Sequence, residues 1–132
     1  MDVERLRHLP LFEELDFHDL AQLLRWVREV EATDGTPLFE QGSMPDELFV
    51  IEEGAVEVIH DGETIATLGP GDVVGEMALL KLERRWASVI ARGPVRAVAL
   101  NADDLAAMSE QMPELAERLR ETMARRDRQN EG

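Results

Sequence analysis

Apolar residues in the middle of this 132-residue chain recur with the short period of β-strands. Between about residues 29 and 100, runs rich in Val, Ile and Leu alternate with Gly, Pro and Asp. The runs AVEVIH and ETIATL flank Asp61-Gly62, which predicts a hairpin with a two-residue turn. The runs LFVIEEG, WASVIA and VRAVAL are predicted as further, separate strands. Many short strands at regular turn spacing favour a sandwich or a barrel-like roll.

Helical spacing marks both ends of the chain. Apolar residues recur three and four apart after Asp16, which predicts a capped amphipathic helix. Near the other end, Asn101 is predicted to cap one helix and Pro113 to begin another. The apolar stripe of the final helix consists of Leu115, Leu119 and Met123. Because this stripe is narrow, we expect the final helix to be only lightly held.

These patterns predict a single domain of the α+β class that is mainly β. A helical segment spans residues 1–28, and C-terminal helices span residues 101–132. Between them, residues 29–100 are predicted to form an antiparallel β-roll of the jelly-roll or double-stranded β-helix kind. The length suits one domain, and no internal repeat or linker divides the chain.

The net charge of -14 excludes some classes of partner. It argues against a nucleic-acid-binding surface, which needs a basic footprint, and against direct contact with an anionic membrane. There are no cysteines, no signal peptide and no apolar run long enough for a membrane helix, as expected for a cytoplasmic domain. Because the net charge of the chain is negative, an anionic ligand would need a local, positively charged binding site.

The stretch GEMALLKLERRWASV, from Gly75 to Val89, combines opposite charges with apolar residues. Gly75 allows a sharp turn and a close ligand approach, and the helix start that follows presents free amides to an anion. Arg85 can bind a phosphate with two parallel hydrogen bonds, whereas Glu76 suits a sugar hydroxyl. The spacing alone equally allows Glu76 and Arg85 to pair with each other as a structural salt bridge.

The order of these residues carries a resemblance to a known family. GEMALL, starting at Gly75, and RWAS, starting at Arg85, resemble the two ends of the phosphate-binding cassette of cyclic nucleotide-binding domains. This places the cassette at residues 75–88. The segments LPLF, LFVIEEGAVEVI, GPGDVVGE and PELAERL agree with the same family. The resemblance extends from about Leu9 to Arg126.

The resemblance implies a regulatory domain whose ligand is cAMP or cGMP, with no further cofactor and no metal. It implies that Glu76 holds the ribose 2′-hydroxyl and Arg85 the cyclic phosphate, aided by the amides of Met77 and Ala78. The other residues expected at the ligand are Gly75, Trp86, Ala87, Val74, Ile65 and Ala66. Candidates for covering the base, from the final helix, are Leu119, Met123, Arg126 and Asn130.

Two departures from the family concern the end of the cassette. Trp86 stands where the family usually has a small residue, and we expect its indole to point outward rather than narrow the phosphate end. Because this residue is neither Ser nor Thr, we expect cAMP to bind ahead of cGMP. Leu82, Glu83 and Arg84 replace small turn residues, so Arg84 is a second candidate for holding the phosphate.

Other function classes have less support. An enzyme on such a roll would need a metal cluster or an activated nucleophile, but His8, His18 and His60 lie in three separate segments. We therefore expect no catalysis. The alternative is a roll that no longer binds nucleotide and serves as an interaction scaffold. Past Met123 the final helix lacks apolar residues for a dimer seam, so we expect a monomer that acts on an effector domain or partner protein outside this chain.

Overall fold

The computed structural model describes the backbone of residues 1–131 and their side chains, apart from those of Met77, Leu80 and residues 126–131. Within this part of the chain, the strands are β1 (Arg28–Ala32), β2 (Pro37–Phe39), β3 (Glu47–His60), β4 (Glu63–Leu68), β5 (Val73–Val74) and β6 (Ser88–Asn101). The α-helices are α1 (Val3–Arg7), α2 (Phe17–Leu23), α3 (Glu76–Lys81), α4 (Ala102–Gln111) and α5 (Pro113–Glu131). A 3-10 helix at Pro10–Phe12 lies between α1 and α2.

The described strands form one antiparallel sheet that folds into a roll. Its main path runs β1-β6-β3-β4, with β2 paired to β6 and β5 paired to β3. In the sequence, α1 and α2 precede the strands and α4 and α5 follow them, whereas α3 lies between β5 and β6. The predicted fold class, a mainly β roll with helices at both ends, is confirmed.

The hairpin at Asp61-Gly62 is confirmed, because His60 pairs with Glu63 across it. The predictions of separate strands on either side of Gly54 and on either side of Gly93-Pro94 are wrong, since β3 runs through Gly54 and β6 runs through the dipeptide without ending. The pairing with β3 shifts register near Gly54, where an added Cβ would lie 2.3 Å from the carbonyl oxygen of Pro94. The Gly-Pro pair thus marks a bulge with close backbone contact rather than a turn between strands.

Strand β3 separates two hydrophobic cores. Leu48 and Val50 belong to a core shared with the helices, whereas Phe49 and Ile51 belong to the interior of the roll. Successive side chains of a strand point to opposite faces, so a strand covered on both faces is apolar without alternation. The last part of β6 is divided between the two cores in the same way. The cassette lies where these two cores meet.

The predicted helix caps are confirmed. The side chain of Asp16 accepts a hydrogen bond from the backbone N–H of Asp19 at 2.8 Å, and that of Asn101 from Asp104 at 2.6 Å. Each cap satisfies a free amide in the first turn of its helix. Among the described helices, none is both long and apolar enough to cross a membrane.

Helix α5 is firmly packed, so the expectation that it is lightly held is wrong. Its buried residues join the core that includes the N-terminal helices; they are Leu115, Ala116, Leu119 and Met123. Arg118 also donates to Asp19 at 2.6 Å, and Arg125 to Glu14 at 3.1 Å. Because the apolar stripe is used within the chain, it is not available to a twin helix, and the expected monomer stays a prediction.

Candidate functional site

The cassette begins with a left-handed turn at Gly75, which has φ +85° and precedes α3. A Cβ at this position would lie 2.6 Å from Nη1 of Arg85. Glycine is therefore needed both for the turn and for the close approach of the arginine. Glu76 is the first residue of α3, and Ala78 follows half-buried. The side chain of Met77 lies outside the described residues.

Two charged side chains of the cassette are buried. Glu76 is 6% exposed and Arg85 is 2% exposed. Glu76 lies at the start of α3, and Arg85 lies in the segment between α3 and β6. Burying a charge is costly unless polar partners or a ligand compensate it. The cassette therefore brings an acid and a base into the interior, as the sequence predicted.

Arg85 makes several contacts with the protein. Its guanidinium carbon lies 4.0 Å from the centroid of the Phe39 ring. Nη1 donates to the carbonyl oxygen of Gly75 at 2.7 Å, and Nη2 donates to that of Glu47. Within the described residues, Nε is buried and has no hydrogen-bond partner. Each Nη carries two N–H groups, so the site holds a desolvated cation with N–H groups, that of Nε among them, left for an anion.

Burial lowers the pKa of the Arg85 guanidinium from its ordinary value, and the nearby carboxylates, Asp46 first, oppose this effect. Arginine remains protonated in proteins even so, because its ordinary pKa is far above neutrality. The lowered pKa indicates that water no longer stabilises the charge fully. An anionic ligand would supply part of the stabilisation that burial removes.

Asp46 links Arg85 to the C-terminal helices. Its Oδ1 lies 3.5 Å from Nη2 of Arg85, and its carbonyl oxygen accepts a hydrogen bond from the N–H of Ala102 at 2.8 Å. Ala102 is the first residue of α4. Glu47 also binds Arg28 of β1 through both carboxylate oxygens, at 2.7 Å each. Local spacing did not reveal these partners, since they come from the start of a different strand.

The two residues next to Arg85 lie outside the buried site. Arg84 is exposed and donates from Nη1 to the carbonyl oxygen of Gly42 at 3.0 Å. The indole of Trp86 points outward, as expected, and is 62% exposed. It stacks on the ring of His60, with 3.9 Å between the centroids. Sequence reasoning missed this partner, since His60 lies on another strand.

The predicted wall residues do not all face the roll interior. Val74 belongs to the roll core, and Ala87 is also buried. Ala66 pairs with Val58, which packs against the same core, so the two side chains share that face. Ile65 is its neighbour in β4, lies at a shift in the register and is 48% exposed. Ile65 is therefore the weakest of the predicted ligand contacts.

The sequence pattern of the cyclic nucleotide-binding domain family matches residues 29–112. This match covers more than half of the chain and includes both ends of the cassette. The chain belongs to the cyclic nucleotide-binding domain family. Members of this family are regulatory binding domains rather than enzymes. The resemblance drawn from GEMALL and RWAS is thus confirmed.

Named relatives of this cyclic nucleotide-binding domain include receptors and channels. It is 34% identical over 118 residues to a cyclic nucleotide-gated potassium channel of Rhizobium etli, a match that covers 89% of the chain and 33% of the channel. It is 33% identical over 125 residues to the cyclic AMP receptor protein of Thermus thermophilus, covering 91% of the chain and 58% of the receptor. The chain therefore spans about a third to three fifths of the length of these curated relatives.

A solved structure of similar size supports the same assignment. The N-terminal domain of a transcriptional regulator from Streptomyces coelicolor A3(2) superimposes with a TM-score of 0.79 at 35% identity. The superposition covers 98% of this chain and 95% of that domain. The fold of the whole described chain, including the helices at both ends, is therefore shared with a domain from a regulator.

Of the candidates for covering the base, the structure describes the side chains of Leu119 and Met123. Leu119 and Met123 are buried in the core shared with the N-terminal helices. The side chains of Arg126 and Asn130 lie outside the described residues. A lid from α5 would therefore require the helix to leave its present packing.

Two surface clefts are lined by residues other than the buried charged pair of the cassette. One, of about 540 Å3, lies between α1 and the roll, and the other, of about 440 Å3, lies beside Asp46 and Glu47. Neither is lined by Glu76 or Arg85. Within the described residues, no three histidine or acidic side chains are grouped so as to hold a metal ion.

Proposed function

We propose that this domain binds a 3′,5′-cyclic mononucleotide between Glu76 and Arg85, with cAMP ahead of cGMP. The observation that carries this proposal is the buried Arg85 guanidinium, whose Nε has no partner within the described residues. A cyclic phosphate is a compact anion that suits this donor. The naming of the Thermus thermophilus relative as a cyclic AMP receptor protein also supports the choice of nucleotide.

Each side of the site suits a different part of the ligand. Arg85 takes the phosphate charge, and the amides at the start of α3 aid it. Glu76 can only accept hydrogen bonds when ionised, so it suits the ribose 2′-hydroxyl. Val74, Ala66 and Ala87 offer small or branched apolar surface to the rest of the nucleotide. Trp86 leaves this space free because its ring lies on the outside.

The alternative is a roll that keeps the fold and has lost the ligand. The contacts of Arg85 with Gly75, Glu47 and Asp46 favour it, because they stabilise the guanidinium without an anion. The buried Nε of Arg85 favours the binding domain instead, because a purely structural arginine would be expected to use this donor as well.

Titration calorimetry with cAMP and cGMP is the direct test. We expect heat of binding with both and the lower Kd with cAMP, because no Ser or Thr stands at the position of Trp86. Linear 5′-AMP is the matched control, since it keeps the base and ribose but not the cyclic phosphate. No heat with either cyclic nucleotide up to millimolar concentration would reject the proposal and leave the scaffold alternative.

We also propose that binding is relayed to an effector or partner protein through the C-terminal helices. Arg85 contacts Asp46, whose carbonyl oxygen holds the first amide of α4, so a ligand that shifts the guanidinium acts on this helix. Helix α5 then responds through its packing on α4. A ligand shifts such an equilibrium only by the difference in its affinity for the two arrangements.

Hydrogen exchange tests the relay. If α5 leaves the N-terminal helices to cover the ligand, exchange should change in Glu114–Arg126 and also in α2, which loses the pair between Arg118 and Asp19. Strand β1 is the internal reference. Unchanged exchange in both helices on saturation with nucleotide would mean that the domain binds its ligand passively.

A further inference from the structure

Two stacked rings lie on the outer side of the cassette. His60 is the last residue of β3, and its ring lies 3.9 Å from that of Trp86 with 11° between the planes. Nδ1 of His60 is 2.6 Å from the carbonyl oxygen of Trp86. A carbonyl oxygen can only accept, so Nδ1 is protonated and donates. The contact therefore combines a stack with a hydrogen bond.

The His60 ring is itself fixed by the hairpin that it begins. Its Nε2 lies 3.2 Å from Oδ2 of Asp61, an acceptor to which it donates when it too carries a proton. Gln41 holds Asp61 in turn, since it accepts from the Asp61 N–H at 2.9 Å and donates to Oδ1 at 2.8 Å. The β3–β4 hairpin thus presents the imidazole to the cassette in a defined position.

The segment that His60 contacts belongs to no helix or strand. Residues 82–87 lie between the end of α3 and the start of β6. The N–H of Arg85 donates to the carbonyl oxygen of Ser43 at 2.9 Å, and its own carbonyl oxygen accepts from Gly42 at 2.7 Å. The His60 contact adds a second anchor one residue further on. The backbone that carries Arg85 is therefore held by two separate loops of the roll.

We infer that His60 is a positioning residue for Arg85. Its stack on the indole and its bond to the Trp86 carbonyl fasten the end of the cassette to the β3–β4 hairpin, and so fix the guanidinium before any ligand arrives. The large ring of Trp86 then serves as the partner of His60 on the outside. The inference depends on the proposed function in one respect, which is that the ligand held by Arg85 is taken to be a cyclic nucleotide.

Variants of His60 and Trp86 separate the two parts of their contact, the ring stack and the hydrogen bond. Trp86→Ala removes the stack and keeps the carbonyl, whereas His60→Phe keeps a ring for stacking and removes the donor. His60→Ala removes both. His18→Ala is the matched control, because this histidine is exposed on α2, far from the cassette in sequence. Circular dichroism first checks that each variant is folded.

The first measurement needs no ligand. Amide exchange at residues 85–88 should be about tenfold faster in His60→Ala and about threefold faster in Trp86→Ala and His60→Phe, because a hydrogen bond and a stack contribute by similar amounts. His18→Ala should match the wild type. Unchanged exchange in His60→Ala would overturn the inference, whether or not the domain binds nucleotide.

The second measurement is the Kd for cAMP. We expect a rise of about tenfold in His60→Ala and no further rise in His60→Ala/Trp86→Ala, since both substitutions release the same anchor. Faster exchange with an unchanged Kd would overturn the positioning role. If the wild type binds no cyclic nucleotide, the proposed function fails, and amide exchange alone then decides whether the contact between His60 and Trp86 holds residues 82–87 in place.

Discussion

Arg85→Ala should weaken cyclic nucleotide binding by about a hundredfold or more. Hydrogen bonds to charged groups contribute about 1.5–3 kcal/mol each, and the substitution removes the donors for both phosphate oxygens at once. Two such losses correspond to about a hundredfold or more in Kd. Because Arg85 is 2% exposed, some loss of stability will accompany the change, and thermal unfolding should be followed in parallel.

Arg84→Ala is the matched control for this substitution. It removes one positive charge from the adjacent residue, so the change in the long-range field is nearly the same. Arg84 is exposed and contacts only the Gly42 carbonyl oxygen among the described hydrogen bonds, so we expect a change in Kd of about threefold or less. Equal effects at the two positions would mean that the phosphate is held by a different arginine from the one proposed.

Arg85→Lys separates charge from shape. Lysine keeps the positive charge but lacks the planar fork that binds two oxygens in parallel. If charge alone mattered, the lysine variant would bind as well as the wild type. We expect it to recover only part of the affinity that Arg85→Ala loses, with calorimetry as the measurement for all three variants.

The cassette could be predicted from the sequence because its main residues lie close together along the chain. Gly75 and Glu76 are adjacent, and Arg85 follows at a spacing that a short helix and a turn can bridge. The N-caps at Asp16 and Asn101 were predictable for the same reason, since each cap bonds to an amide three residues along the chain. Such signals depend on few residues and on fixed backbone geometry.

The partners of the cassette could not be predicted, because they are distant in the sequence. Glu47 lies 38 residues before Arg85, and His60 lies 26 residues before Trp86. Only the folded roll brings these strand ends together. The packing of α5 could not be predicted for the same reason, since Arg118 contacts Asp19 across 99 residues. A narrow apolar stripe says how much surface a helix can bury, but not how well the surface opposite fits it.

Gly75 offers a sharper test of the site than any charged residue. Its φ of +85° lies in the left-handed region, and an alanine Cβ would lie 2.6 Å from Nη1 of Arg85 and 3.0 Å from the Phe39 ring. The backbone oxygen of Glu47 would lie 3.2 Å from the same Cβ. Because the ring and the backbone leave no room, the guanidinium must move. We therefore expect Gly75→Ala to displace the Arg85 side chain without changing its charge.

Gly35→Ala isolates the effect of the backbone conformation. Gly35 has φ +82°, and nothing lies within 4 Å of an added Cβ. Gly35→Ala should lose about 1–2 kcal/mol of unfolding free energy, since a left-handed residue with a Cβ is strained by that amount, and Gly75→Ala should lose more because its Cβ also displaces Arg85. Only Gly75→Ala should also lose affinity, by about thirtyfold, because a displaced guanidinium forfeits a charge-assisted bond of about 2 kcal/mol. Denaturant unfolding measures the change in stability of the two variants, and calorimetry measures the change in their affinity for the nucleotide. Equal affinities in Gly75→Ala and Gly35→Ala would show that the position of Arg85 against Gly75 does not determine how tightly the phosphate is bound.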